Sequence, residues 1–228
     1  MPAHFAAVVF DLDGTLLDTA PDFVLALNQM RRKHNKPELS YEIIREQVSN
    51  GAAALVKLGF NVDTNDQEFA QLRQELLDHY IKIIGQHSEF FPAIEALLTR
   101  LHDLKVPWGI ATNKPRLYTD ALFAKLQLSN PPNIIVCPED VRHRKPDPES
   151  LFVIADQLNV NSADIIYLGD HRRDIECGNA AGSTTIACSY GYIESVDPAE
   201  TWGANFLVQD SRQLPDLIEH LLTTPREH

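Results

Sequence analysis

A chain of 228 residues with 44% apolar side chains has material for one large domain or two modest ones, and wholesale disorder is excluded. Its net charge of −12 argues against a nucleic-acid partner, and any site for an anionic substrate must be locally positive or hold a metal. Three cysteines (Cys137, Cys177, Cys188) without zinc-site spacing fit a reducing compartment, and no apolar run approaches the ~18 residues of a membrane span, so a cytoplasmic protein without a membrane partner is expected.

The first apolar run, residues 7–10, reads as a buried strand, and it runs straight into Asp11 and Asp13. Two carboxylates that close repel each other and are costly to bury unless something compensates them. Gly14 and Thr15 follow, giving D-x-D-G-T: a tight turn rich in oxygens and backbone N–H groups suited to an anion. A strand end followed by an Asx-turn would look the same.

From about residue 21 to 87 only helical patterns appear. Pro21 suits the first helical position, with an apolar face continuing through Phe23, Leu27 and Met30. Further helices are predicted at 43–48, 52–58 and 69–84. About 65 residues is too long for a connection, so a separate small helical domain is expected, joined near Thr19 and near residues 90–92. Within it, Ser49-Asn50-Gly51 is either a substrate loop or a polar turn between two helices.

Beyond the insert, apolar runs at 106–111, 133–137, 164–168, 184–187 and 205–208 read as buried parallel strands. Helical stretches at 91–104, 118–128, 149–158 and 174–181 alternate with them. That alternation predicts an α/β fold: a Rossmann-like, doubly wound parallel sheet with helices on both faces and an inserted α-helical domain. The expected division is 1–18 and 91–228 for the sheet domain and 19–90 for the insert.

In such a sheet, ligands bind beyond the carboxyl ends of the strands, and three later elements lie there. Thr112 and Asn113, followed by Lys114, end one strand; alone they are an ordinary polar turn. Lys145, before Pro146, is a compact positive charge that could meet a phosphate or a carboxylate, or simply face water. Gly169-Asp170 and Asp174 supply carboxylates of the kind hard Mg²⁺ prefers. Asp174 also suits the first turn of a helix, where it complements the dipole.

Taken in order, D-x-D-G-T, Thr-Asn, Lys-Pro and G-D-x-x-x-D make the chain resemble phosphatases of the haloacid dehalogenase superfamily over its whole α/β part, with the insert where that superfamily carries its cap. The resemblance implies a Mg²⁺-dependent phosphomonoesterase working through an aspartyl-phosphate. It casts Asp11 as nucleophile, Asp13 as general acid and base, Thr112 and Lys145 as phosphoryl-binding groups, and Asn113, Lys114, Ser49, Asn50 and Gly51 as substrate contacts. Asp11, the backbone carbonyl of Asp13, Asp170 and Asp174 would hold the metal. An acid at position 13 speaks against a dehalogenase, which has no leaving alcohol to protonate.

The stretches TAPDF, SNGA, ATNKP, KPDPE and YGY resemble the phosphoglycolate-phosphatase-like group. CPEDV, GDHRRDIE, YGYI and WGA are similar to the N-acetylmuramic acid 6-phosphate phosphatases of cell-wall recycling. The expected partner is therefore a small phosphorylated metabolite, bound by a monomer or homodimer. A β-phosphoglucomutase-like phosphoryl transferase shares the same core motifs, and a catalytically silent phosphometabolite-binding module is the non-enzymatic alternative. Arg172 and Arg173, beside His171, are expected only to offset the nearby acids.

Overall fold

The computed structural model describes residues 5–126 and 128–224. Strand β1 (Ala7–Phe10) is completely buried, and the antiparallel ribbon of β2 (Leu17–Asp18) and β3 (Glu89–Phe90) brackets the helical insert. The insert holds α1 (Ala20–Lys33), α2 (Tyr41–Arg45), α3 (Gly51–Phe60) and α4 (Phe69–Ile83). After it come α5 (Ile94–Asp103), β4 (Trp108–Ala111), α6 (Arg116–Phe123), β5 (Ile134–Val136) and α7 (Glu149–Leu158). The chain then forms β6 (Ile165–Gly169), α8 (Arg172–Ala180), β7 (Thr184–Cys188), β8 (Phe206–Val208) and α9 (Leu214–Thr223).

Six strands form one parallel sheet in the order β5-β4-β1-β6-β7-β8. Burial on both faces explains why the inner strands β4, β1, β6 and β7 read as continuous apolar runs, while the edge strands β5 and β8 are only partly covered. Side chains of β1 alternate between the faces: Val8 and Phe10 join Leu97, Leu101 and Ile218, whereas Ala7 and Val9 join Ile154, Tyr167 and Cys177. The sheet is thus doubly wound, as its residues predicted. Because the chain goes to β4 on one side of β1 and to β6 on the other, a crevice opens at the carboxyl end of β1.

Phe23, Leu27 and Met30 of α1 lie with Leu72, Leu76 and Tyr80 of α4 in one apolar cluster. This cluster is continuous with one face of the sheet through Leu16, Leu17 and Ala20, so the insert does not have a core of its own. At the joint, the Tyr192 hydroxyl accepts from the N–H groups of Thr19 (2.6 Å) and Ala20 (2.9 Å) and donates to Asp18 Oδ1 (2.8 Å). Asp22, fully buried, accepts from Gly85 N (2.7 Å), His87 N (3.0 Å) and Ser88 Oγ (2.6 Å), which ties the entry of the insert to its exit.

Several boundaries differ from the sequence reading for local reasons. Helix α1 begins at Ala20, so Pro21 stands second rather than first. Helix α2 starts at Tyr41 and gives way to bonds from Gln47 N to Ile44 O and Val48 N to Arg45 O, a tighter winding than the predicted 43–48 helix. Helix α6 starts directly after Pro115 and closes with Lys125 N bonded to Leu122 O, short of the expected 128. Residue 127 of that prediction lies outside the described residues. The three cysteines are buried and unbridged, and among the described residues no helix is long and apolar enough to cross a membrane.

Candidate active site

The Asp11 N–H donates to Leu168 O (2.8 Å), holding Asp11 at the tip of β1 between β4 and β6. Lys145, expected either in the site or in water, is 6% exposed. Its Nζ donates to Asp11 Oδ1 (2.7 Å), Ala111 O (2.7 Å) and Tyr167 Oη (3.0 Å), and pairs with Asp174 Oδ1 (2.6 Å). Burial pushes the Asp11 carboxyl up to about 6 against the opposing pull of Lys145. Burial works against the Lys145 ammonium too, but Asp11 and Asp174 outweigh it and hold its pKa above the usual range. The charges assemble because each is compensated in place.

The D-x-D-G-T turn closes with Gly14 N donating to Leu17 O (2.9 Å). Gly14 adopts φ +85°, and a Cβ there would sit 2.0 Å from Asp170 Oδ2, so both the turn and the approach of Asp170 require glycine. Asp170 accepts from Tyr192 N (2.8 Å) and Ser49 Oγ (2.9 Å), with Thr15 Oγ1 at 3.4 Å. Burial and the neighbouring Asp11 and Asp174 push its carboxyl well above the usual carboxylate range. Asp174 stands in the first turn of α8, as one of its two readings expects, where it accepts from His171 N (3.1 Å), and it faces Lys145.

Asp13 points elsewhere. Its carboxylate accepts from Thr19 Oγ1 (2.6 Å) and from Lys114 Nζ (2.9 and 3.1 Å). Lys114, expected as a phosphate contact, is buried, also donates to Tyr80 Oη (2.8 Å), and lies 4.8 Å from the Tyr80 ring centroid. Phe23 stacks on that ring at 3.9 Å. Thr112 Oγ1 accepts from Lys114 N (3.1 Å), and Asn113 Nδ2 donates to Lys145 O (3.2 Å). The Thr-Asn-Lys turn is therefore structured around the two lysines.

Ser49, Asn50 and Gly51 form the turn into α3, as the polar-turn reading expects, and they also line the crevice. Asn50 Nδ2 donates to Glu194 Oε1 (2.8 Å), and its Oδ1 accepts from Arg173 Nη2 (3.0 Å). Arg173 Nη1 also donates to Ser49 O (2.9 Å). Arg172 does offset an acid, Asp197, whereas the expectation for Arg173 needs correction: it bonds Ser49 and Asn50 and fastens the insert to the sheet domain. Burial, then the Arg173 charge, pushes the adjoining His171 imidazole down to about 4, leaving it neutral at pH 7.

A cavity of about 250 Å³ opens between the insert and the carboxyl ends of the strands, and Asp11, Asp13, Asp174, Ser49, Asn50, Gly51, Thr112, Asn113, Lys114 and Lys145 all line it. Sequence reasoning missed Phe23, Arg73, Tyr80, Tyr118 and Arg144 on the same walls. Oxygens of Asp11, Asp170 and Asp174 lie within 4.8 Å of one another. Lys145 balances two of the three, and among the described residues Asp170 has no cationic partner. Oxygen donors with surplus negative charge suit a hard divalent cation. The Asp13 carboxylate is not in this group and pairs with Lys114 instead.

The sequence pattern of the haloacid dehalogenase-like hydrolases matches residues 8–188. The chain is 38% identical over 216 residues to the N-acetylmuramic acid 6-phosphate phosphatase of Pseudomonas aeruginosa, covering 95% of this chain and 96% of that one. It is 34% identical over 209 residues to the phosphoglycolate phosphatase of Xanthomonas campestris pv. campestris, covering 91% and 94%. The crystal structure of a predicted phosphoglycolate phosphatase from Haemophilus somnus superposes with a TM-score of 0.82 at 21% identity, covering 94% and 97%.

Proposed function

As the chain belongs to the haloacid dehalogenase-like hydrolases and is a phosphatase of that family, we propose that it hydrolyses a small phosphate monoester through an aspartyl-phosphate on Asp11. One observation carries the reading. A buried Asp11, fixed by Lys145 at 2.7 Å, opens into the same cavity as a second carboxylate, Asp13, which is held apart from it by its own lysine.

In the first step an Asp11 oxygen forms a bond to phosphorus as the ester P–O bond breaks, and Asp13, having first taken up a proton from water, gives it to the leaving alcohol. In the second, Asp13 takes a proton from a water that attacks the aspartyl-phosphate, releasing inorganic phosphate and restoring Asp11. Thr112 and Lys145 hold the phosphoryl oxygens, Asn113 steadies the loop that carries Lys145, and Lys114 with Thr19 keeps Asp13 aimed. Asp11, Asp170, the Asp13 carbonyl and Asp174 would hold Mg²⁺, which supplies positive charge to the phosphoryl group.

Residues 19–90 act as a cap on a core of 1–18 and 91–228, and Ser49, Asn50 and Gly51 present the cap to substrate. N-acetylmuramic acid 6-phosphate is the lead substrate, supported by 38% identity to a phosphatase of that name along nearly the whole chain. Phosphoglycolate is the comparison. Phosphate release from both, with and without Mg²⁺ and with Asp11→Asn, tests the proposal. Loss of turnover in Asp11→Asn and in EDTA is expected. Turnover by Asp11→Asn at the wild-type rate would overturn the nucleophile, and a higher kcat/KM for phosphoglycolate would overturn the lead substrate.

A further inference from the structure

Five cationic side chains line the cavity of this acidic chain: Arg73, Lys114, Arg144, Lys145 and Arg173. Three are committed to protein groups: Lys145 to Asp11 and Asp174, Lys114 to Asp13, and Arg173 to Ser49 and Asn50. Among the described residues, the side chains of Arg73 and Arg144 make no hydrogen bond or ion pair. Arg144 adjoins Lys145 in the chain and so stands by the phosphoryl end. Arg73 has a different place.

Arg73, Leu77 and Tyr80 all line the cavity, at the spacing that puts them on one face of α4. Tyr80 is the end near the chemistry, because its hydroxyl meets the lysine that holds Asp13. The seven residues from Tyr80 back to Arg73 climb ~10 Å along the helix. Tyr118 completes the wall, with its ring centroid 6.0 Å from that of Tyr80. Burial raises the Tyr118 phenol, and the Arg73 charge opposes the rise, which places the guanidinium in that neighbourhood. Asp13, Lys114, Tyr80, Tyr118 and Arg73 thus form a polar seam leading from the protonating acid to the rim.

We infer that Arg73 is a specificity-determining residue that binds a carboxylate carried by the leaving alcohol, several bonds away from the phosphate ester. The inference rests on the reading of Asp13 as the acid that protonates the leaving oxygen, since that fixes the side on which the alcohol lies. A guanidinium with no hydrogen bond or ion pair among the described residues offers a planar, bidentate donor pair that matches a carboxylate. Phe23, Ala52 and Leu77 give the carbon skeleton apolar contact on the way. Phosphate and carboxylate stand close together in a two-carbon acid phosphate, which suits poorly a guanidinium based about 10 Å along the helix from Tyr80. A hexose phosphate bearing an acidic ether across the ring is long enough.

The test compares kcat/KM for N-acetylmuramic acid 6-phosphate, N-acetylglucosamine 6-phosphate, which lacks only the lactyl ether and its carboxylate, and p-nitrophenyl phosphate. Wild type is expected to prefer the carboxylate-bearing sugar by roughly 10- to 100-fold. Arg73→Gln should collapse that ratio, chiefly through KM, and Arg73→Lys should restore part of it. Arg73 is exposed, so neither variant removes a packed side chain. No wild-type preference between the two sugars, or a ratio unchanged in Arg73→Gln, would overturn the inference and leave the phosphatase reading standing. Wild type releasing phosphate from none of the three would overturn both.

Discussion

Replacing Lys145 by Met keeps the length of a buried side chain and removes the one charge shared by Asp11 and Asp174, at 2.7 and 2.6 Å. Leaving a buried ion pair without its partner costs about 3–5 kcal/mol. At roughly 2–4 °C per kcal/mol for a chain of this size, the metal-free variant should melt about 6–20 °C lower at pH 8. The sign of the pH dependence follows from Asp11. Its folded pKa of about 6 lies above the ordinary 3.8, so its contribution to stability is present below pH ~4 and is lost as pH rises through about 6. Burial raises that value and Lys145 lowers it, so Lys145→Met moves it further up, and a protonated Asp11 no longer needs the ammonium. The deficit against wild type should therefore shrink markedly at pH 5. Thermal unfolding in EDTA at the two pH values measures both quantities. An equal deficit at pH 5 and pH 8, or none at either, would refute the electrostatic account of the site.

Lys114→Met should lower kcat for phosphate release by at least tenfold, because it frees Asp13 from two of its three bonds; an unchanged kcat would show that Asp13 needs no positioning. Tyr192→Phe leaves the Thr19 N–H without its acceptor and the Ala20 N–H with only its 3.3 Å bond to Asp18, and urea denaturation should register a loss of about 1–3 kcal/mol. Gly14→Ala must place a methyl 2.0 Å from Asp170 Oδ2 on a backbone at φ +85°, so activity should be lost, with a lower melting temperature. A fully active Gly14→Ala enzyme would mean that Asp170 does not approach the turn.

Chemistry written locally was legible in the sequence. The four inner strands show as apolar runs because parallel strands there are buried on both faces, and Asp11, Thr112 and Asp170 stand where those runs end. Asp22 drew notice only as part of TAPDF, and its work of closing the insert on itself depends on Gly85, His87 and Ser88, more than sixty residues away. The same holds for Tyr192 at the joint and for Arg173 on Ser49 and Asn50, pairs separated by more than a hundred residues. Arg73 and Tyr80 carry a signal in hindsight: with Leu77 they form one helical face on which a cation and an aromatic replace aliphatic residues. Nothing local distinguishes that face from a solvated edge, because only the fold turns it toward Asp13.

The central claim is that the phosphoryl group passes through a covalent bond to Asp11. Wild-type protein mixed with substrate and Mg²⁺, quenched in acid within a turnover and digested, should yield a phosphorylated peptide spanning Asp11 by mass spectrometry, and reduction with borohydride should mark Asp11 itself. The account predicts the label on Asp11 in wild type and its absence in Asp11→Asn. Turnover without any label at Asp11, or the same label in Asp11→Asn, would contradict it.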